Sequence, residues 1–431
     1  MDVWPALPLV VIDYMSQYPI SGMDNIITVL GQSNRVCEVL LSGLAGWQLE
    51  EVLAAMQVPF PELTELLLWL AKDPKTVPVI PESFLDGSAP CLQSFELLGI
   101  PFPGLPKLLL SATHLVRLGL NDIPHSAYIS PEAIVALISM LSNLEELVIG
   151  FQSPQSRPDR ESRRLPLPKR SILPALYLIY FGGVIEYLED LVTRIDTPQL
   201  HTMYIHLFNQ IDFDTPQLAQ FIDRTCNVRE TDAEVQFKDD SVRVRLSPRL
   251  RTLTIEISCR EPDWQLSSIE QVCNSSLPPL SIVEDLYIEH RYSHPVWQDD
   301  TIENTLWLQL LRSFTAVKNL YLSKEFAPGI AAALQELVGE RIIEVLPNLQ
   351  NIFVKGFEQV ESGRFQENIG QFVAARQLSN HPVAISGSDG SGWEDPDGDE
   401  DSDGDEDSDG DKDSDGDEDS DGDKDSDIES M

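Results

Sequence analysis

Three things are scarce in this chain of 431 residues. Cysteine is the first. Cys37, Cys91, Cys226, Cys259 and Cys273 are odd in number, widely spaced and without a CxxC pair, which excludes a disulfide framework or structural zinc site and fits a reducing compartment. Positive charge is the second. Lys+Arg total 30 against 70 Asp+Glu, a formal net charge of −40, which argues against phosphate-backbone binding, so no nucleic-acid partner is expected. Long apolar runs are the third. None approaches the roughly 18 residues a membrane span needs, and Asp2 stands where a secretory signal carries positive charge. No membrane partner is expected, and the expected location is the cytoplasm or nucleus.

Signatures of catalysis are scarce as well. No GxxxxGK[ST] phosphate loop, GxSxG elbow, HExxH or GxGxxG after a strand is present. His290 and His294 have the spacing of one helical face, but Pro295 follows at once and no second ligand cluster accompanies them, so they read as surface-loop residues. His201 and His206 are five apart in a strand-like stretch and face opposite sides. Glu186, Glu189 and Asp190 read as a solvated helix face, and Cys226 and Cys273 as buried packing. The sequence therefore reads as non-enzymatic, with no cofactor and no metal.

Two regions of different physics are present. From Asp389 to Glu429 there are 23 acidic residues and only two lysines, arranged as repeats of DSDGD(E/K). The repeats, from Asp401 to Lys424, have no apolar side chain to offset the entropy of ordering, so residues 387–431 read as a disordered acidic tail. Asp399, Asp401, Asp403 and Gly404 match the first half of a calcium loop, but Gly410 stands where the bidentate glutamate belongs.

Residues 35–386 carry a repeat with apolar residues at positions 1, 4 and 6. Examples are Leu63/Leu66/Leu68, Leu144/Leu147/Ile149, Leu173/Leu176/Leu178, Leu200/Met203/Ile205, Val283/Leu286/Ile288 and Leu349/Ile352/Val354. Successive copies start 23 to 34 residues apart except for one step of 50. A weak copy at Val228/Thr231/Ala233, followed by a hairpin around Lys238-Asp239-Asp240, would fill that step. Between copies lie stretches with helical apolar spacing, such as Ile134, Leu137, Ile138 and Leu141, and three have a proline near their start: Pro131, Pro216 and Pro328. Strand then helix, repeated, predicts an α/β fold of the irregular leucine-rich-repeat solenoid class, with strands on the concave side and residues 1–34 as an N-terminal cap. A doubly wound α/β domain is the alternative.

In such a fold the expected protein-binding surface is built from positions 2, 3 and 5. These include Glu145, Glu146 and Val148; His201, Thr202 and Tyr204; Glu284, Asp285 and Tyr287; and Lys318, Asn319 and Tyr321. The face is mixed with an acidic tilt. Trp264, Trp297, Trp307, Tyr287 and Tyr292 make the C-terminal copies the most aromatic, a composition that serves core packing or binding hot spots. One basic cluster, Arg157, Arg160, Arg163, Arg164, Lys169 and Arg170, reads as a solvated loop or a dock for an acidic partner.

The stretches VCEVLLSGL, LEEVLAAMQVPFPEL, YLEDLVTRIDTPQL, FDTPQLAQFI and AVKNLYLSKEFAP resemble a family of fungal F-box and leucine-rich-repeat proteins. The resemblance implies a substrate receptor of a cullin-type ubiquitin ligase, with a protein target on the repeats and the ligase adaptor as second partner. Only Leu7-Pro8 matches an F-box opening, so the repeat fold and target binding are carried over and no adaptor-contacting residue is. An acidic chaperone or calcium-buffering protein, with the tail active and the repeats as scaffold, is the alternative.

Overall fold

The computed structural model describes residues 7–13, 22–71, 77–102, 107–156, 170–208, 213, 215–225, 231–247, 251–275, 277, 280–290, 303–337, 339–356 and 363–388. The chain divides into two units, Met1–Asp389 and Gly390–Met431, and every described residue lies in the first.

The apolar triplets fold as short strands. In chain order these are β1 (Leu9–Asp13), β2 (Val36–Leu44), β3 (Glu65–Leu70), β4 (Ser94–Leu98), β5 (Arg117–Ile123), β6 (Glu146–Phe151), β7 (Ser171–Ile172), β8 (Leu178–Gly183) and β9 (Ile195–Asp196). They continue as β10 (Thr202–Leu207), β11 (Thr231–Phe237), β12 (Ser241–Leu246), β13 (Thr252–Ser258), β14 (Val283–His290), β15 (Asn319–Leu322), β16 (Asn351–Lys355) and β17 (Ala384–Ser388). Fifteen form one sheet in the order β1-β2-β3-β4-β5-β6-β8-β10-β13-β12-β11-β14-β15-β16-β17, and β7 pairs with β9 alone. All pairs in the large sheet are parallel except β11–β12 and β12–β13.

Helices connect the strands: α1 (Met23–Leu30), α2 (Gly46–Ala55), α3 (Lys107–Ser111), α4 (Pro131–Ile138), α5 (Ile185–Arg194), α6 (Pro216–Thr225), α7 (Pro262–Ser275), α8 (Asn304–Arg312), α9 (Ala327–Gln335) and α10 (Arg364–Leu378). Their starts follow from local chemistry. Pro131 opens α4, where its missing N–H is harmless, and the Ser130 hydroxyl accepts from the Ala133 N–H at 3.3 Å. Pro216 opens α6, whose next two N–H groups donate to the Glu189 carboxylate of α5 at 3.1 and 2.6 Å. Glu189 thus caps a neighbouring helix, and Asp190 pairs with Arg194 at 3.0 Å; neither lies on the solvated face expected of them.

Burial alternates along most strands, as in β10 (Met203, Ile205 and Leu207 buried) and β15 (Leu320 and Leu322 buried), so helices cover one face of the sheet and the other is open. The covered face is a continuous core from Val11 to Val383. At ~1.5–3 kcal/mol per fully buried aliphatic or phenyl side chain, this is the main stabilising term. Trp307 belongs to it, 5.8 Å from Phe237 and 5.5 Å from Phe326, whereas Trp264 is exposed.

Two expectations need correction, and the N-terminal stretch gains detail. The copy at Leu173 is displaced by three residues: Ile179 and Phe181 align with Met203 and Ile205, so the true triplet is Leu176/Ile179/Phe181 and Leu178 lies on the open face. Ala233 pairs with Leu286, the fourth position of its copy rather than the sixth, and Val228 lies outside the described residues. The stretch read as an N-terminal cap contributes β1 to the same sheet, paired with β2. The hairpin at Lys238-Asp239-Asp240 is present as β11 and β12, and it explains the long step. It folds back so that β13 lies beside β10, and β12 and β11 follow before β14.

Among the described residues, no helix is long and apolar enough to cross a membrane.

Candidate functional site

The open face is a lattice of side chains spaced ~4.8 Å across strands and ~6.6 Å along them. Its central row, read across the sheet by register, is Val148, Tyr180, Tyr204, Thr254, Arg245, Glu234, Tyr287, Tyr321 and Phe353. Aromatic rings thus stand on both sides of the β11–β13 insert.

On one side the Tyr180 and Tyr204 rings stack at 4.8 Å and 5°. The Tyr204 hydroxyl donates to Glu256 of β13, and Arg243 of β12 donates to the same carboxylate oxygen at 2.8 Å while its guanidinium lies over the Tyr204 ring. The other carboxylate oxygen takes Lys238 at 3.0 Å and the Ser241 hydroxyl at 2.8 Å. Burial pushes the Glu256 carboxyl up, but the Tyr204 hydroxyl, Arg243 and Lys238 outweigh it and hold the group down at about 2. Burial and the nearby Glu256 raise the Tyr204 hydroxyl well above its ordinary value. His206, bonded to Ser258 at 2.7 Å, is lowered by burial.

On the other side Tyr287 and Tyr321 stack at 4.3 Å and 8°, and Phe353 continues the ladder 4.7 Å from Tyr321 at 13°. Two residues earlier in each strand, a polar ladder runs in parallel. Asn351 Nδ2 donates to Asn319 Oδ1 at 2.8 Å, and Asn319 Nδ2 donates to Asp285 Oδ1 at 2.7 Å. Lys318 donates to Glu284 at 2.7 Å at the rim. Burial, then Tyr321, then Asp232 and Asp285, raise the Tyr287 hydroxyl above its ordinary range.

A third cluster lies toward the N-terminal strands. Arg117 donates to Glu146 at 2.6 and 3.0 Å, approaches Glu96 at 3.6 Å, and Tyr177 donates to Glu146 at 2.6 Å. Gly119 leaves room for the Glu96 side chain: a Cβ there would stand 2.9 Å from Glu96 Cγ.

No family model matches the chain, and no curated protein matches it. The site therefore stands on its geometry.

The structure brings together Tyr287 with Tyr321 and Glu284 with Lys318, and it surrounds Glu146 and Tyr204 with partners not anticipated from sequence. It keeps Tyr204 and Tyr287 four strand spacings apart, ~19 Å. Position-2 residues Glu145, Glu284 and Lys318 stand at the strand entries, with Glu145 and Glu284 exposed. Of the basic cluster only Arg170 is described; its Nε donates to the Thr193 carbonyl at 3.3 Å, while Arg157, Arg160, Arg163, Arg164 and Lys169 lie outside the described residues. His294, Trp297, Tyr292, Cys226 and residues 389–431 of the acidic tail lie outside them too, whereas Gly387 and Ser388, read as the start of that tail, end β17 beside β16. His290 is not on a surface loop: it ends β14 with its ring edge-on to Phe326 at 5.8 Å. Cys273 is buried, and burial raises its thiol far above the ordinary range, which leaves little thiolate. Sequence reading missed Tyr180, Phe353, Arg243 and Glu256. Phe353 was findable, because it follows Ile352 as Tyr321 follows Leu320.

Proposed function

We propose that the chain is a leucine-rich-repeat solenoid acting as a non-enzymatic protein-interaction module, with its target seated on the open face of the sheet. The one-sided burial of the sheet carries this reading. A doubly wound domain covers both faces of its sheet, whereas here the strands follow chain order except at the β11–β13 insert and one face keeps its side chains half-exposed. Rigid stacked aromatics on such a lattice are the residue types that dominate protein interfaces. The resemblance to fungal F-box and leucine-rich-repeat proteins extends the reading to a target destined for a cullin-type ubiquitin ligase, with the ligase adaptor as second partner. The acidic composition of residues 389–429 favours a second reading, an acidic chaperone or ion-buffering segment borne on the repeats.

The test is a photo-crosslinking amino acid at Tyr321 of the full chain in its own cells, compared with one at Trp264, which is exposed on α7. A discrete protein crosslinked from position 321 and absent from position 264 is the expected result. Equal labelling from both positions, or none from 321, contradicts it. Deleting residues 387–431 leaves the crosslink intact if the repeats bind and abolishes it if the tail does. Recovery of the ligase adaptor alongside the target supports the ligase extension; its absence removes that extension alone.

A further inference from the structure

We infer that the β1 edge of the sheet, with the apolar patch beside it on the open face, receives an extended segment of a partner protein. That segment pairs with β1 as a further strand and presents apolar and Lys/Arg side chains in turn along the open face. The surface lies at the opposite end of the sheet from Tyr321 and stands whether or not a target sits on the aromatic ridge.

The two ends of the sheet differ. Among the described residues, no strand pairs with the outer side of β1 or of β17. On the open face β17 shows only small side chains, Ala384 and Ser386, whereas β1 shows Val10 and Ile12, 46% and 60% exposed. The outward N–H and C=O groups of an edge strand are a template for another strand, and natural edges that meet only water are blunted by charge or proline. Pro8 and Asp13 bound β1, but nothing between them blunts it. Nor are Val10 and Ile12 isolated. Register places Ile12, Leu40 and Leu67 in one row, and two residues later Trp69 stands beside Leu98. Each of these alternates with the buried residues of its strand and so faces the open side. A contiguous apolar patch with a polar rim marks a contact site, where single exposed residues do not.

The rim selects the partner. In the row beside the patch, Val10 is followed by Glu38 and then Glu65, and neither carboxylate has a hydrogen bond or ion pair among the described residues. Arg35 donates instead to the Leu7 carbonyl and to Gln32, and Arg117 is held by Glu146 and Glu96. A strand added to β1 extends both rows at once, because its side chains on one face recur every second residue. An apolar residue would continue Ile12, Leu40 and Leu67. A Lys or Arg two residues away would continue Val10, Glu38 and Glu65, its apolar stem lying along Val10 and its charge reaching toward Glu38. A second copy of this chain, at −40, meets repulsion, so the occupant is a different protein. Main-chain pairing supplies affinity in this mode and the alternating side chains supply specificity.

The experiment selects a displayed library of random short peptides on the immobilised full chain, with counter-selection on the Val10→Ser/Ile12→Ser chain to remove peptides held elsewhere, the acidic tail included. Both replaced side chains are exposed, and thermal melts confirm that the variant is folded. Surviving peptides are then titrated by fluorescence anisotropy. They are expected to carry Lys or Arg two residues from an apolar one and to lose about tenfold or more in affinity for Val10→Ser/Ile12→Ser. For Glu38→Gln/Glu65→Gln the expected loss is about threefold to tenfold. N-methylation of alternate peptide residues is expected to abolish binding in one phase and spare it in the other, the mark of a strand paired on one side only. Survivors without that alternation, survivors indifferent to Glu38→Gln/Glu65→Gln, or no survivors at all overturn the inference. A dimer of the full chain in sedimentation that Val10→Ser/Ile12→Ser dissociates gives the edge to a second copy and overturns it as well.

Discussion

Two aromatic stacks share one row of the open face and are finished in opposite ways. Tyr180 and Tyr204 lean on a knot in which a buried carboxylate, Glu256, satisfies Arg243, Lys238, Ser241 and the Tyr204 hydroxyl at once. Tyr287, Tyr321 and Phe353 instead stand beside an amide ladder that ends on the Asp285 carboxylate. The knot spends its polar groups on itself and so stabilises the insert. The ladder passes amide hydrogen bonds from strand to strand and leaves its aromatic ridge half-exposed on the open face, where the proposed target would sit.

The comparison breaks most sharply at Glu256. Glu256→Ala leaves Arg243 and Lys238 without their carboxylate in a mostly buried site and is expected to cost about 3–5 kcal/mol in urea unfolding. Acid should do nearly the same. The Glu256 carboxyl sits at about 2 in the folded chain against an ordinary 4.5, so its contribution is complete above about pH 4.5 and is lost as the pH falls toward 2. At 1.36 kcal/mol per unit that is about 3 kcal/mol, and Glu256→Gln should flatten this part of the stability–pH curve. Tyr204→Phe removes one hydroxyl from the knot and should cost about 1–2 kcal/mol in the same assay. Asn319→Ala, which removes the middle rung of the half-exposed amide ladder, has the smallest expected effect, about 0.5–1 kcal/mol in the same assay.

Most strands were legible because their triplets obey a period that only one face can explain. The unit at Leu173 was not, since Leu173, Leu176, Leu178, Ile179 and Phe181 satisfy two overlapping triplets and only pairing with β6 and β10 chooses between them. That choice hid Tyr180. The hairpin was legible from its alternation, but its position was not. Placing β13 beside β10 is a tertiary event, and it alone joins Tyr204 to Glu256 across 52 residues of sequence. Glu189 was misread for a related reason, because its partners are the N–H groups of a helix 28 and 29 residues away. Tyr287 and Tyr321 were named correctly as face residues because their strands, β14 and β15, are adjacent both in sequence and in the sheet.

The most direct test places a photo-crosslinker at Tyr321 in one full-length chain and at Tyr180 in another, two positions of the same row, and compares target labelling in the native cells. The account predicts strong labelling of one discrete protein from position 321 and little from position 180, where the ring is packed against the knot. Equal labelling, or labelling from position 180 alone, would contradict the division of the face into a part that holds the fold and a part that meets a partner.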